Sequence, residues 1–468
     1  MTETGGPFDE GNTPASMPAG FGLTTATFVV VSSMVGVGVL TTSGHTVALL
    51  GSNGLMLGLW AVGGVIAVCG ALSLAELAAM LPRSGGEYLF LREAYGPRLA
   101  FLGGWSSILL GFAAPVAAAS WASAAYLLAP MDLSEPGQTW SRLALASTCV
   151  LAFSMIHATA RRRTARAQGI VTTIEILFLA GFVGAGLFAG RANFANLHDV
   201  PTIDVSTAGK LLFSLVYVSY GYTGWNAAAY LAGEVAEPRR NLPRAILLGT
   251  GGVMALYLGL NLVYALALSS ATIRVIAHQE GRAGLDPIAE RAAEALFGAS
   301  WSAPFSVALG LILMATASAY LLTGPRVIFA MARAGHFPPI AGRLTRRHGT
   351  PAIATAILAG LSITMLWTGS FEAIVVFAGV GLALSSMLSV GSVYVLRVRQ
   401  PDLPRPFRVP GYPVVPGVYL AGTGAVVVAA FVREPGISSL STASLLLALP
   451  AYSLWRLAGR RRRDTLSS

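Results

Sequence analysis

The chain has 468 residues, of which 54% are hydrophobic and 11% charged, with a mean hydropathy of +0.66 and a net charge of +10. Soluble domains carry about 25% charged residues, so a string of water-soluble domains is excluded. The apolar residues lie in runs of about 20, enough at about 1.5 Å per residue to cross a hydrocarbon core of roughly 30 Å, and predict an all-α integral membrane protein.

In chain order, residues 1–20 carry acids, Pro and Gly rather than a basic head and apolar core, and predict a disordered cytoplasmic tail with no cleavable signal peptide. Twelve spans are predicted, near 21–50, 54–81, 88–129, 142–160, 168–190, 209–234, 245–269, 302–334, 351–369, 372–398, 413–432 and 437–457. The first carries Gly36-Val37-Gly38 midway, and the sixth carries Gly221-Tyr222-Thr223-Gly224 at a similar depth. Each glycine weakens a helix by about 1 kcal/mol, so both spans are expected to break in mid-membrane and free backbone donors and acceptors. Five spans separate the breaks, an odd number, so the second unit enters from the opposite face. That is the arithmetic of an inverted repeat with a site between two broken helices. Close helix packing is the competing reading of Gly-x-Gly, and the matched pair favours the site.

Of the 31 Lys and Arg residues, 24 fall on the side that holds both termini when the spans are alternated. This asymmetry predicts cytoplasmic termini and makes the basic balance a topology signal, not a nucleic-acid footprint. Glu76, Glu87 and Glu234 sit at cytoplasmic helix ends near arginines, where ion pairing is expected; His157 is expected at a solvated helix end. The stretch Asp286 to Gly298 places Ile288, Ala292, Ala295 and Leu296 on one face and predicts a short outer surface helix, a connector before a lid. Cys69 and Cys149 lie inside apolar runs, so no disulfide-linked subunit is expected.

No phosphate-cradling Gly-x-x-x-x-Gly-Lys-Ser/Thr segment occurs, which argues against an ATP-driven pump. No His/Cys/Asp cluster has metal-site spacing, and neither charge rings nor a filter loop suggest a channel. The reading is a non-enzyme without catalytic residues, cofactor or metal: a secondary transporter.

The segment from Ala71 to Gly96, ALSLAELAAMLPRSGGEYLFLREAYG, resembles the loop between the second and third spans of the amino acid–polyamine–organocation superfamily. Four further segments agree in order: Gly224 to Ile246, Leu256 to Leu268, Thr323 to Pro339, and Leu396 to Pro416. The chain thus resembles that superfamily's L-type and cationic amino acid transporter branch. The resemblance implies a LeuT-type five-plus-five inverted repeat over 21–190 and 206–399, with spans eleven and twelve and a basic cytoplasmic C-terminus in 400–468. It implies a substrate site at Met34, Gly36, Val37 and Gly38, where backbone amides bind a carboxylate and freed carbonyls bind its ammonium. A half-helix N-terminus suits an anion independently, through its partial positive charge and orphan N–H groups. Many relatives carry Ser or Ala where Val37 stands, so the carboxylate is left to the backbone. In the sixth span the resemblance puts a gating aromatic at Tyr220, with Gly221, Thr223 and Gly224 in the site and Tyr222 and Trp225 nearby.

Thr316 and Ser318 fall near the region where sodium-coupled relatives hold an ion. Glu175 occupies the position of a fifth-span lysine that in relatives stands in for sodium. Gln168, Thr172 and Glu175 are spaced i, i+4, i+7, a polar stripe expected to face protein or an inner vestibule. Glu175 is then either a carrier of a coupled proton or cation, or the partner of an arginine such as Arg326. The expected partners are an amino acid, H⁺ or Na⁺ as coupling ion, and the bilayer. The expected process is proton-coupled transport or exchange by alternating access. A polyamine or organic-amine transporter would need acidic side chains in the site, and none lies beside either break; a non-transporting nutrient sensor is the reading outside transport. Scarce Lys beside abundant Arg suggests the inner membrane of a GC-rich bacterium.

Overall fold

The computed structural model describes residues 21–131, 137–159, 161–198, 205–279, 288–369 and 371–455. The basic C-terminal residues and the first twenty lie outside them. Among the described residues the fold is all-helical, with a single parallel bridge pairing Phe21 with Val235. Ten helices are long and apolar enough to cross a membrane.

The first predicted span is three pieces, α1 (Leu23–Met34), α2 (Val37–Thr41) and α3 (Ser43–Leu50), and α4 (Asn53–Met80) follows. The third predicted span, 88–129, is divided. Short α5 (Glu87–Tyr95) ends at Gly96 (φ +90°), and Pro97 opens α6 (Pro97–Ser106), because proline disfavours helix in the residue before it. α6 passes through a π-helical segment, Ser107–Ala113, into α7 (Ala114–Leu128).

Then come α8 (Gly137–Thr159) and α9 (Arg161–Phe188). α9 buries Gln168, Thr172 and Glu175 and exposes Ile170, Ile174 and Leu177, the reverse of a helix in water. The polar stripe faces protein, as its spacing predicts.

The sixth predicted span is interrupted: α10 (Val205–Gly221) gives way to turns over Tyr222–Asn226 and then to the single turn α11 (Ala227–Tyr230). α12 (Pro238–Ala267) begins seven residues before the predicted 245. Its first two turns carry Arg239, Arg240 and Arg244, all exposed, which a search for apolar residues passes over. α13 (Ser270–Gln279) and α14 (Ile288–Phe297) follow; α14 buries Ile288, Ala292 and Leu296 together with Ala289 and Ala293, whereas Ala295, expected on that face, is exposed.

The remaining helices are α15 (Ser302–Thr323), α16 (Pro325–Arg333), the shorter α17 (Ala352–Thr368), α18 (Phe371–Arg399), α19 (Val414–Arg433) and α20 (Pro435–Leu446). At the arginine-rich end of the bundle, Glu76 takes Arg397 at 2.6 and 2.9 Å, Arg405 at 3.6 Å and the Val409 amide at 2.7 Å. Glu234 takes Arg326 at 3.2 Å. Burial of both carboxylates is offset by these charge-assisted bonds. The third predicted ion pair is absent: Glu87 is held by the Asn226 amide at 3.0 Å and has no cationic partner among the described residues.

Candidate functional site

The two helix breaks pack directly on each other. A Cβ added to Gly38 would fall on the backbone of Gly221, and one added to Gly224 (φ +108°) would fall on the carbonyl of Ser33. The helices are interrupted at these glycines, as expected, and the glycines also permit the close approach of the packing reading. Gly38→Ala is accordingly expected to cost folded protein as well as binding. Size-exclusion chromatography should show a reduced monodisperse fraction relative to the parent. Gly38→Leu, with a larger side chain against the same backbone, reports on packing before it reports on substrate.

Between the breaks lies a cavity of about 270 Å³, lined by Met34, Gly36, Val37, Gly38, Tyr220, Gly221, Thr223 and Thr316, with Pro115, Ala119 and Tyr320. The sequence-predicted residues converge here, all but Gly224, Glu175 and Ser318. Gly224 lines a neighbouring cavity of about 850 Å³ that shares the walls formed by Pro115, Tyr220, Thr223 and Tyr320. Tyr220, 6% exposed, thus borders both spaces. Tyr222 and Trp225 turn to the larger one, where the Tyr222 hydroxyl donates to the Trp60 carbonyl at 3.0 Å and Trp225 meets the edge of Tyr419.

The carbonyls freed at the end of α1 are not left open. The Tyr320 hydroxyl donates to Ser33 O, Tyr257 donates to Met34 O at 2.5 Å, and Thr316 donates to Val35 O at 2.7 Å. A carbonyl oxygen has two lone pairs, so one donor does not exhaust it, and of these three residues Met34 lines the cavity. Tyr257 also lies 3.1 Å from Gly221 O and so touches both breaks. Sequence reasoning missed Tyr257 because it lies inside an ordinary apolar span, α12.

Thr316 is therefore a cap on the first break as well as a cavity wall. Ser318 is elsewhere: its hydroxyl lies 3.0 Å from His157 Nε2 and donates to Gln168 Oε1 at 3.1 Å. His157, expected at a solvated end, is 5% exposed and belongs to this interior network joining α8, α9 and α15. Glu175 is 1% exposed, and neither carboxyl oxygen has a hydrogen-bond partner among the described residues. The expected alternative, a pair with Arg326, does not form, because Arg326 is engaged by Glu234. Among the described residues no group of three or more His, Cys, Asp or Glu is placed to hold a metal ion.

The model of the family described as "Amino acid permease" matches residues 21–452. The chain belongs to the amino acid permease family. Among this permease's relatives, the Asc-type amino acid transporter 1 of Homo sapiens is 27% identical over 443 residues, covering 93% of this chain and 82% of the relative. The large neutral amino acids transporter small subunit 2 of Mus musculus is 29% identical over 445 residues, covering 92% and 80%. The b(0,+)-type amino acid transporter 1 of Mus musculus is 26% identical over 416 residues, covering 88% and 83%. With its helices, family membership makes this permease a multi-pass membrane protein of the amino acid transporter class.

Proposed function

We propose that the protein is a secondary active transporter that carries zwitterionic amino acids across the plasma membrane by alternating access. The observation that carries this reading is the cavity between the breaks, whose wall has no Asp, Glu, Lys, Arg or His among the described residues. A substrate there brings both its charges with it and is received by backbone. Its carboxylate meets the amides of Gly36 to Gly38, and its ammonium meets the spare lone pairs of the α1 carbonyls. Tyr220, standing between the two cavities, is the gate.

In this reading the two breaks are the cores of two inverted five-helix units within twelve spans. The two spans beyond the ten long helices are the interrupted α10–α11 and the 17-residue α17. The arginine-rich end faces the cytoplasm with both termini, and no disulfide-linked subunit is required, both cysteines being buried and free. Transport is proton-coupled or an exchange, with Glu175 as the coupling group.

Uptake of labelled amino acids into proteoliposomes containing only this protein tests the reading. Accumulation above equilibrium is expected, with KM raised several-fold in Tyr220→Ala at unchanged folded yield. Binding without uptake, even into vesicles preloaded with unlabelled amino acid, would instead make the protein a sensor, and wild-type kinetics for Tyr220→Ala would remove the gate.

A further inference from the structure

The larger cavity has a composition of its own. Seven aromatic side chains enter its wall, Phe112 and Tyr230 among them, and Glu87 is its one carboxylate. The sequence hides this. Glu87 is far in sequence from either break, and it reaches the cavity because Gly85 (φ +134°) and Gly86 (φ +52°) turn the chain inward just before α5. Gly111 and Phe112 reach it from the π-helical segment. Two other buried carboxylates at this end, Glu76 and Glu234, are held by arginines, but Glu87 has no such partner among the described residues. An anionic oxygen among aromatic faces suits a protonated amine, which gains a counter-ion and ring quadrupoles together.

We infer that this cavity is a binding site for an organic ammonium group, with the Glu87 carboxylate as its counter-ion. The ammonium has two possible sources: the side-chain end of a cationic amino acid whose α-groups occupy the breaks, or a free amine. The first rests on the substrate site proposed above; the second does not. The absence of acids beside the breaks, which disfavoured amines in the sequence, is thus made good by a residue from another element.

Burial raises the Glu87 carboxyl to about 7, with the bond from Asn226 opposing the rise. Tyr230 and Tyr419 also face it, and neither brings a positive charge. Only the ionised form binds an ammonium. Alkylamines titrate near 10.4, so the ligand stays charged while Glu87 titrates. Amine affinity should therefore rise about tenfold between pH 6 and pH 8.

The test is calorimetric titration of the purified full chain with n-butylammonium chloride, butan-1-ol, L-lysine and L-leucine, on the wild type and Glu87→Gln. Gln keeps an acceptor for Asn226, so a purely structural role survives the change while the charge does not. The expected result is binding of n-butylammonium or a preference for lysine over leucine, rising about tenfold from pH 6 to pH 8 and lost at least tenfold in Glu87→Gln. Binding of n-butylammonium itself identifies a free amine as the source. A lysine preference without it identifies the amino acid side chain. Should Glu87→Gln fail to fold, the pH dependence of the wild type decides. Leucine binding with no binding of either cation, or cation binding indifferent to pH and to the variant, overturns the inference. A wild type that binds n-butylammonium but no amino acid keeps this site and sinks the substrate site at the breaks.

Discussion

Tyr257→Phe is expected to lower transport by roughly five- to 150-fold while the protein still inserts and folds. Its hydroxyl is the donor that serves Met34 O and lies against Gly221 O, tying the last carbonyls of α1 and α10 to one side chain on α12. Phe keeps the ring and its packing against Trp60 and Tyr222 but leaves a buried carbonyl without its donor. Such an orphan costs about 1–3 kcal/mol, and at 1.4 kcal/mol per factor of ten this gives the stated range. The loss should appear in uptake velocity at saturating substrate, with the melting temperature within a few degrees of the parent. Unimpaired uptake would show that the carbonyls do not need this hydroxyl.

The second large effect is expected at Glu175. Its two carboxyl oxygens are buried without partners among the described residues, and an unpaired charge at mid-helix costs about 2.5–3.5 kcal/mol or more. Our hypothesis is that proton uptake and release at Glu175 couples the gradient to the substrate site. Glu175→Gln should retain substrate binding within about twofold and raise thermal stability, because the amide has no charge to desolvate. Accumulation driven by a pH gradient should be lost, leaving only equilibration. Gradient-driven accumulation equal to the parent's would exclude the role.

The parts of this protein that were legible in the sequence are those with a one-dimensional signature. Runs of apolar residues mark the helices, and the glycine pairs at Gly36–Gly38 and Gly221–Gly224 mark the breaks. The spacing of Gln168, Thr172 and Glu175 marks the inward face of α9. Boundaries were harder where composition and geometry disagree: α12 starts among arginines, and Gly96-Pro97 divides what reads as one continuous run.

The remainder of the site depends on what folding brings together. Tyr257 and Tyr320 join Thr316 in capping three consecutive carbonyls at the end of α1 from positions more than two hundred residues away, and neither tyrosine differs locally from an ordinary polar residue in an apolar helix. Glu87 carries a stronger hint, a glycine pair immediately before an acid. Arginines close in sequence suggested an ion pair for it, as for Glu76 and Glu234, and of the three expected pairs the structure forms those of Glu76 and Glu234.

The contact of Gly38 with Gly221, and of Gly224 with Ser33, sets main chain against main chain where the two interrupted helices cross. Side chains normally cushion such a crossing by changing rotamer, so one helix can shift while its neighbour adjusts. Main chain resting on main chain has no such slack. A displacement of α1 at this point is handed to α10 undiminished, which makes the crossing a fulcrum and puts the flexible bending in the arms on either side. Larger residues in those arms should be tolerated as long as the fulcrum keeps its glycines.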